Sequence, residues 1–356
     1  MKTLSPATRA ALEKMGFVKL TEVQEKSVPL ARAGKDFWAR SPTGTGKTAA
    51  FLIPLIERAA ANPAYKAIVL EPSRELAIQV ANEARKVAFG TGVRVVAAYG
   101  GSSHEKLEEL VRAGAQIISG TPERVAELLE KGVLKGEEVR ALVLDEADRL
   151  FSQQLEGNVK LVAMLAPKRQ TMLFSVHAPS SLVQKARAVL KTDFEDAKAG
   201  GVSESKIEHL YSVAKNPMNR LAVLLQKEPG LRSMVFCATI ENAREIEASL
   251  KALKIFPILL HSKMPAESRN SAVRRFRQEK RGVLVATDLV ARGMHFEGIE
   301  RIYSMGVPPT TEFYLHRAGR TGRMGASGKC ISIVSAEEAP ELKKLYAANG
   351  ITASAI

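Results

Sequence analysis

The sequence predicts an α/β protein built from two open domains, each with a mostly parallel sheet flanked by helices. The chain has 356 residues, and at about 100 to 200 residues per domain this length favours two domains over one. Short β-rich apolar runs alternate with longer stretches of helical period, as expected for parallel βαβ construction. The alternation occurs twice, once on each side of a polar segment that contains a Gly pair.

Composition and charge narrow the class of partner. Hydrophobic residues make up 46% and charged residues 25% of the chain, which excludes collagen-like, disordered and disulfide-scaffold proteins. Lys and Arg number 52 against 38 Asp and Glu, for a net charge of +14. Such an excess favours a polyanionic partner such as nucleic acid. No apolar run approaches the roughly 18 residues of a membrane span, so no membrane partner is expected.

The strands are predicted from short apolar runs, and helices fill the stretches between them. In the first half the predicted strands are 37–40, 67–70, 93–98, 116–119, 141–144 and 171–174, with clear helices at 74–87 and 123–131. In the second half the predicted strands are 207–213, 233–237, 258–260, 282–286, 301–303 and 330–334. Both halves therefore follow the same plan.

The boundary between the domains is predicted at a polar segment. The sequence DAKAGGVSES at 196–205 has small polar residues and no apolar period, which is typical of a hinge. We therefore predict a first domain at 1–198, a flexible linker at 199–206 and a second domain at 207–356.

The first chemical motif is SPTGTGKT at 41–48, which follows a predicted strand and precedes an apolar helical run. This order is what a phosphate-binding P-loop requires. Gly44 and Gly46 let backbone N–H groups face a phosphate chain, Lys47 adds positive charge, and the Thr48 hydroxyl can ligate Mg²⁺. A nucleoside triphosphate is the expected ligand.

The second chemical motif is ALVLDEAD at 141–148, an apolar strand that ends in carboxylates. This is the form of a Walker B element, in which the first acid holds Mg²⁺ and the next orients or deprotonates water. Asp145 and Glu146 occupy those positions. A solvated acidic loop is the alternative, and the P-loop upstream argues against it.

With the sequence DEAD at 145–148, the chain resembles the DEAD-box ATP-dependent RNA helicases of superfamily 2, and the resemblance extends over essentially its whole length. It implies two tandem RecA-like domains that use ATP and Mg²⁺. GFVKLTEVQ resembles the adenine-reading Q motif of that family. The resemblance implies nucleotide contacts from Gln24, Thr43, Gly44, Thr45, Gly46, Lys47, Thr48 and Gly293, metal contacts from Thr48 and Asp145, and catalysis by Lys47, Asp145, Glu146, Arg320 and Arg323.

Further stretches resemble the RNA-binding and coupling motifs of the same family. In the first domain, the elements that hold the RNA backbone are resembled by PSRELA, a Gly pair and TPER. In the second domain, motifs IV, V and VI are resembled by MVFCAT, ATDLVARG and HRAGRTGR. The residues expected to bind RNA are Pro72, Arg74, Gly100, Gly101, Thr121, Arg124, Thr239, Arg269, Thr287 and Arg292. Those expected to couple ATP to RNA are Asp148, Ser175, His177, Asp288 and His316. Arg320 and Arg323 are expected to act as arginine fingers on the γ-phosphate.

The resemblance also implies a mechanism and a set of partners. ATP and RNA together favour a closed state that holds a bent single strand, so that short duplexes open locally. Contacts to backbone and 2′-OH groups predict RNA over DNA with little sequence preference. RNP or ribosome assembly proteins are the expected further partners, and a monomer is the expected state.

The two cysteines, Cys237 and Cys330, each lie in an apolar run that is predicted to be a buried strand, which indicates core thiols in a reducing compartment. The expected location is the cytoplasm, or the nucleolus or an organellar matrix if a targeting segment precedes the chain.

Several positions depart from the family pattern in elements that link hydrolysis to RNA. The usual Ser-Ala-Thr is here Ser175-Val176-His177, His295 stands where motif V usually has Asp, and Glu123 replaces the usual Gly of TPER. Ala266 replaces the Gln of a Gln-x-x-Arg element. Two hypotheses remain: an active RNA helicase or RNP remodeller, and an ATP-dependent RNA clamp or assembly factor with weak or uncoupled unwinding. A DNA helicase or a P-loop ATPase that does not act on nucleic acid is a more distant alternative.

Overall fold

The computed structural model of the chain divides into two compact units, Met1–Gly201 and Val202–Ile356. It describes residues 4–41, 44–176, 184, 186, 194–199, 207–288, 296–322, 327–348 and 350–356. Each unit contains a seven-stranded sheet, and every strand pair in the described residues is parallel. The predicted fold class is confirmed. The predicted linker at 199–206 contains the division point, and apart from Ala199 it lies outside the described residues.

The described part of the first unit alternates helices and strands in chain order. Its elements are α1 (Pro6–Lys14), α2 (Glu22–Arg32), β1 (Phe37–Arg40), α3 (Lys47–Ala61), β2 (Lys66–Leu70), α4 (Arg74–Val87), β3 (Val95–Ala98), α5 (His104–Arg112), β4 (Ile117–Gly120), α6 (Pro122–Glu130), β5 (Val139–Leu144), α7 (Ala147–Ala163), β6 (Gln170–Ser175) and β7 (Glu195–Lys198). The strands lie in the order β3-β4-β2-β5-β6-β1-β7.

The sheet of the first unit is covered on both faces. Along β1, Phe37 and Ala39 belong to one buried cluster with residues of α2, α3 and α4. Trp38, which points to the opposite face, belongs to a second cluster with residues of α5, α6 and α7. Because side chains alternate along a strand, two cores on opposite faces require the continuous apolar runs seen in the sequence.

The second unit repeats this layered construction. Its described elements are β8 (Ile207–Val213), α8 (Pro217–Lys227), β9 (Arg232–Cys237), α9 (Ile240–Ala252), β10 (Ile258–Leu260), α10 (Ala266–Gln278), β11 (Gly282–Thr287), β12 (Arg301–Met305), α11 (Thr311–Ala318), β13 (Gly328–Val334), α12 (Ala339–Ala347) and β14 (Ser354–Ala355). The strand order is β10-β11-β9-β12-β13-β8-β14. Met234 and Phe236 of β9 enter one core, and Val235 and Cys237 enter the other.

The predicted strands are all present, with ends that differ by at most two residues. The hinge prediction at 196–205 is wrong at its start, because residues 196–198 belong to β7, which pairs with β1. Ala197 is the one buried residue of β7, so this edge strand lacks the apolar run by which the other strands were found. Arg40 also forms an ion pair with Asp196 across this edge. Cys237 and Cys330 are free and buried.

A helix that crosses a membrane must be long and almost entirely apolar. None of the helices in the described ranges combines the length and apolar character needed to cross a bilayer.

Two glycines of the first unit make a matched stability test. A Cβ at Gly136 would overlap the carbonyl oxygen of Met164, whereas a Cβ at Gly157, inside α7, would meet nothing within 4 Å. Gly136→Ala is expected to destabilise the unit by about 1–3 kcal/mol through overpacking. Gly157→Ala is expected to stabilise it by about 0.5–1 kcal/mol because Gly disfavours helix interiors.

The measurement is urea unfolding followed by fluorescence of Trp38, the only tryptophan of the chain, which is buried in this unit. Shifts of the midpoint in the same direction for both variants would contradict the packing argument.

Candidate functional site

The predicted site residues of the first unit lie in loops that follow the carboxyl ends of neighbouring strands. The loops after β3, β4 and β2, which are adjacent in the sheet, carry the predicted RNA-binding residues. The next three strands, β5, β6 and β1, lead into DEAD, the Ser175-Val176-His177 motif and the P-loop. Parallel pairing brings these loops to one edge of the sheet, which is where open α/β sheets bind ligands.

The P-loop adopts the backbone that its glycines permit. Gly44 and Gly46 have φ values of 77° and 91°, and Gly46 is the N-cap of α3. The ammonium of Lys47 donates to the carbonyl oxygen of Ser41 at 2.7 Å, and the Ser41 and Thr45 hydroxyls are 2.7 Å apart. Left-handed glycines followed by a helix N-terminus expose backbone N–H groups to an anion.

The remaining predicted residues of this loop differ in what the structure shows of them. Thr48 lies in the first turn of α3 and is partly buried. Thr43 lies outside the described residues.

Gln24, the predicted adenine partner, is fully buried and is bonded to its own chain in this structure. Its amide nitrogen donates to the carbonyl oxygen of Gly46 at 3.0 Å, and its amide oxygen accepts from the backbone N–H of Thr21 at 2.9 Å. A Cβ at position 46 would overlap this amide. Gln24 therefore ties the start of α2 to the P-loop, a link that the sequence did not predict, and the adenine contact stays a prediction.

The two acids after β5 differ in environment. Asp145 is buried, and its carboxylate accepts from the backbone N–H of Glu146 at 2.9 Å. Burial first, and then the charge of Glu146, raise the pKa of Asp145 to about 7, while the charge of Lys47 lowers it. Glu146 caps α7 with a left-handed backbone, φ 44° and ψ 50°, a conformation that costs a non-Gly residue about 1–3 kcal/mol.

The acidic character of this strand end fits a divalent cation. A carboxyl group whose pKa is raised by burial and by a neighbouring carboxylate gains from a nearby positive charge. The oxygen ligands of Asp145 and Thr48 are of the type that Mg²⁺ prefers. These residues therefore fit the predicted metal.

Sequence reasoning missed two residues beside the DEAD motif. Arg149, in the first turn of α7, donates through Nη1 to the Glu146 carboxylate at 2.7 Å, and both side chains are largely buried. Glu71 directly follows β2 and is fully buried. Burial first, and then the charges of Asp145 and Glu146, raise the pKa of Glu71 well above its ordinary value. The signal was present in the sequence, because Glu71 ends the apolar run AIVLE as Asp145 ends ALVLD.

The predicted coupling residues of this unit lie next to the acids. Ser175 ends β6 and is buried, and its hydroxyl accepts from the indole N–H of Trp38 at 2.9 Å. Asp148 is also buried and accepts from the backbone N–H of Arg149 at 3.1 Å. Val176 is partly buried, and His177 lies outside the described residues.

Two of the predicted RNA-binding elements meet in the described structure. The guanidinium of Arg74 lies over the ring of Tyr99, 4.9 Å from its centroid, and a Cβ at Gly101 would be 3.1 Å from the same guanidinium. Pro72 directly precedes the N-cap of α4, and Gly100 follows Tyr99 in the loop after β3. The PSRELA segment and the Gly pair therefore form one continuous surface.

TPER is more internal than the sequence suggested. Thr121 is the N-cap of α6, but Arg124 is buried, forming an ion pair with Glu127 and contacting the Nδ1 atom of His104 at 2.5 Å. Hydrogen bonds from Arg124 and Lys131 lower the pKa of Glu127 to about 2. The exposed residue of the motif is Glu123, in the first turn of α6.

The second unit presents its predicted RNA-binding residues in the same way. Thr239 is exposed and caps α9 after β9, Thr287 ends β11, and Arg269 lies on α10 after β10. The strands β10, β11 and β9 are adjacent in the sheet. Thr287 is buried, and its hydroxyl has no hydrogen-bond partner among the described residues. Arg292 lies outside the described residues.

The predicted coupling residues of the second unit are Asp288 and His316. Asp288 belongs to a buried ion pair, and His316 is next in the chain to the other member of that pair. Arg317, 1% exposed, donates to both oxygens of Asp288, at 2.7 and 2.5 Å, and to the hydroxyl of Ser304 at 2.5 Å. His316 is buried beside it, and Arg320, 4% exposed, donates through Nε to the His316 carbonyl oxygen at 3.2 Å. The predicted arginine finger thus lies against its own helix end in this structure.

Three further predicted or divergent positions of this unit fall outside the described residues. They are Gly293, His295 and Arg323.

Sequence comparison decides the family. The DEAD/DEAH box helicase family model matches residues 21–184, and the helicase conserved C-terminal domain matches residues 216–325. The DEAD-box ATP-dependent RNA helicase CshA of Geobacillus kaustophilus is 33% identical over 344 residues, which cover 95% of this chain and 74% of that protein. The chain belongs to the DEAD-box ATP-dependent RNA helicases. It is therefore an ATP-hydrolysing enzyme that acts on RNA, as the resemblance implied.

Solved structures of DEAD-box proteins share the fold. Saccharomyces cerevisiae Dbp5 bound to RNA and ADP BeF3 is 26% identical with a TM-score of 0.86, over 99% of this chain and 94% of that one. Mss116p bound to ssRNA and AMP-PNP is 26% identical with a TM-score of 0.87, over 99% of this chain and 77% of that one. A DEAD-box protein from Methanococcus jannaschii is 30% identical with a TM-score of 0.62, over 99% and 97%. The two RecA-like domains are confirmed.

The buried ion pair of the second unit gives a stability prediction. Arg317→Met leaves Asp288 buried without its partner, which is expected to cost about 3–5 kcal/mol. Arg301→Met is the control, because Arg301 pairs with a partly exposed Glu228, and such pairs contribute about 0–1 kcal/mol.

The measurement is urea unfolding of the full chain. For Arg317→Met, the far-UV circular dichroism transition should begin at lower urea, while the fluorescence of Trp38 in the other unit should keep its midpoint. A fluorescence shift equal to the dichroism shift would contradict the assignment to one unit.

Proposed function

We propose that this helicase hydrolyses ATP at the edge of the first sheet, with Glu146 as general base. Water attacks the γ-phosphorus and gives a proton to the Glu146 carboxylate, while the bond from the γ-phosphorus to the β–γ bridging oxygen breaks and releases ADP. The observation that supports this most is the position of Glu146. It follows Asp145 at the end of β5, and only β6 lies between β5 and β1, the strand that leads into the P-loop. Lys47 and the P-loop N–H groups neutralise phosphate charge.

Mg²⁺ belongs to this proposal. Asp145 and Thr48 would hold it, and when bound it would neutralise charge on the phosphate oxygens. Asp145 presents a buried oxygen ligand for it, and Thr48 presents a hydroxyl in the first turn of α3.

We propose that Arg320 and Arg323 complete the reaction from the second unit as arginine fingers. In that case the buried side chain of Arg320 must leave its contact with the His316 carbonyl oxygen before it can act. The first unit alone would then bind ATP without hydrolysing it at an appreciable rate.

We propose that RNA binds along the loops after β2, β3 and β4, and along those after β9, β10 and β11. The Arg74, Tyr99 and Gly101 surface supports this, as do the relatives whose structures contain RNA. The recognition is of sugar and phosphate, hence nearly independent of base sequence. Glu123 places a negative charge in the first turn of α6, where it opposes an RNA phosphate.

The remaining proposals concern the setting of the enzyme. RNP or ribosome assembly proteins are proposed as further partners, a monomer as the working state, and the cytoplasm as the location. The free, buried Cys237 and Cys330 support a reducing compartment.

The assignment of the base predicts a clear separation of two variants. Glu146→Gln should keep ATP binding and lose turnover by on the order of 10² or more, because the base is removed while the phosphate contacts remain. Lys47→Ala should lose tight ATP binding. RNA-stimulated phosphate release and binding of a fluorescent ATP analogue separate the two effects. Parent-level turnover by Glu146→Gln would rule out this base.

The arginine fingers predict a dependence on the second unit. Arg320→Ala or Arg323→Ala should lower turnover by on the order of 10³ with ATP affinity of the first unit unchanged. A chain of residues 1–201 should bind ATP yet hydrolyse almost none. Full activity of that fragment would exclude fingers from the second unit.

The divergent motifs predict weak coupling between hydrolysis and unwinding. Val176→Ala with His177→Thr, which restores the family sequence, is expected to raise the number of base pairs unwound per ATP. The reason is that Thr returns a hydroxyl, which can donate and accept a hydrogen bond, where the chain has an imidazole of different size and hydrogen-bonding groups. The ratio is measured from pH 6 to 8, with Gly157→Ala as a control. An unchanged ratio at every pH would mean that the enzyme couples like an ordinary helicase.

A further inference from the structure

The structure leaves two complementary groups unsatisfied beside the catalytic acids. Both carboxylate oxygens of Glu71 are buried and have no hydrogen-bond partner among the described residues, and the same holds for Nε of Arg149. A buried polar group without a partner costs about 1–3 kcal/mol, so such groups require an explanation. One is an acceptor and the other a donor.

Strand register places Glu71 close to the site. β2 and β5 pair in parallel with Leu70 opposite Leu144, so Glu71 lies opposite Asp145, at the end of the neighbouring strand. Arg149 is close enough for its charge to act on Glu71, lowering its pKa against the larger effects of burial and of the acids.

Arg149 is engaged on one side only. Its Nη1 donates to Oε2 of Glu146 at 2.7 Å, which occupies an oxygen of the proposed base. To reach a water at the γ-phosphate, Glu146 must turn away from this bond. Separating a buried ion pair leaves an uncompensated charge, which is strongly unfavourable unless another acceptor takes the guanidinium.

We propose that Glu71 is this second acceptor: the Arg149 guanidinium exchanges between Glu146 and Glu71, so that Glu71 acts as a positioning residue for the base. The inference rests on the proposed role of Glu146. In one arrangement Arg149 holds Glu146 against the first turn of α7. In the other Arg149 is bonded to Glu71, and Glu146 is available to water. Every group involved is a side chain of the first unit.

The test is a double-mutant cycle on the full chain with Glu71→Gln, Arg149→Met and the combined variant. Glu71→Gln keeps the shape of the side chain but cannot form an ion pair with Arg149. It is expected to lower kcat by up to about 10²-fold, the loss that follows misplacement of a catalytic group, with KM for ATP within about two-fold of the parent because the P-loop is untouched. In the Arg149→Met background, Glu71→Gln should cause no further loss, since its effect passes through Arg149.

Conservative and control variants sharpen the result. Arg149→Lys keeps the positive charge but lacks the planar guanidinium that can donate two parallel hydrogen bonds. It should give a kcat between those of the parent and of Arg149→Met. Arg301→Met, which removes an ion pair in the other unit, should leave kcat unchanged. If Glu71→Gln is too unstable to measure, Glu71→Met, of similar length, replaces it in the cycle, and thermal midpoints identify any variant that is merely unfolded.

Two outcomes would overturn the proposal: a parent-level kcat for Glu71→Gln, or an equal loss of kcat on adding Glu71→Gln to the parent and to Arg149→Met. Failure of the proposed function looks different. It would appear as turnover by Glu146→Gln, whereas failure of the exchange leaves Glu146→Gln inactive and Glu71→Gln active.

Discussion

Parallel strand pairing is the constraint on which the rest of this structure depends. It requires helices on both faces of each sheet, and therefore strands that are apolar on both sides, such as β1 and β9. It also brings the carboxyl ends of the strands to one edge. Motifs that are far apart in sequence, such as PSRELA and DEAD, become neighbours because β2 pairs with β5. The motifs that carry the family resemblance are thus loops that a parallel sheet holds at one edge.

Both units bury carboxylate groups, and they compensate the charge of these groups in different ways. In the second unit, Asp288 is compensated by a bidentate guanidinium from Arg317 that uses both carboxylate oxygens. In the first unit, Asp145, Glu146 and Glu71 lie together, and Arg149 donates to Glu146. Burial first, and then the charges of neighbouring carboxylates, raise the pKa values of Asp145 and Glu71. The ion pair of the second unit favours rigidity, whereas the acids of the first unit carry charge that the proposed Mg²⁺ and the proposed exchange of Arg149 would compensate.

The sequence predicted the strands well because each is an uninterrupted apolar run, and it missed β7 because EDAK has only Ala197 to bury. The positions of the motifs followed from the strands. Side-chain partners did not follow, because they depend on distances between elements. The bond from Gln24 to Gly46 joins residues 22 positions apart, and the burial of Arg124 and Arg320 reflects local packing. Glu71 was missed because no motif includes it.

The left-handed backbone of Glu146 sets stability against activity. Glycine or asparagine accepts this conformation with less strain than glutamate does, so selection for a more stable first unit alone would favour replacing the proposed base. A library screened for thermal resistance is therefore expected to enrich inactive chains at this position, in keeping with the general trade-off between stability and activity. The glutamate at this position costs backbone strain, and what its carboxylate supplies is the proposed chemistry rather than stability.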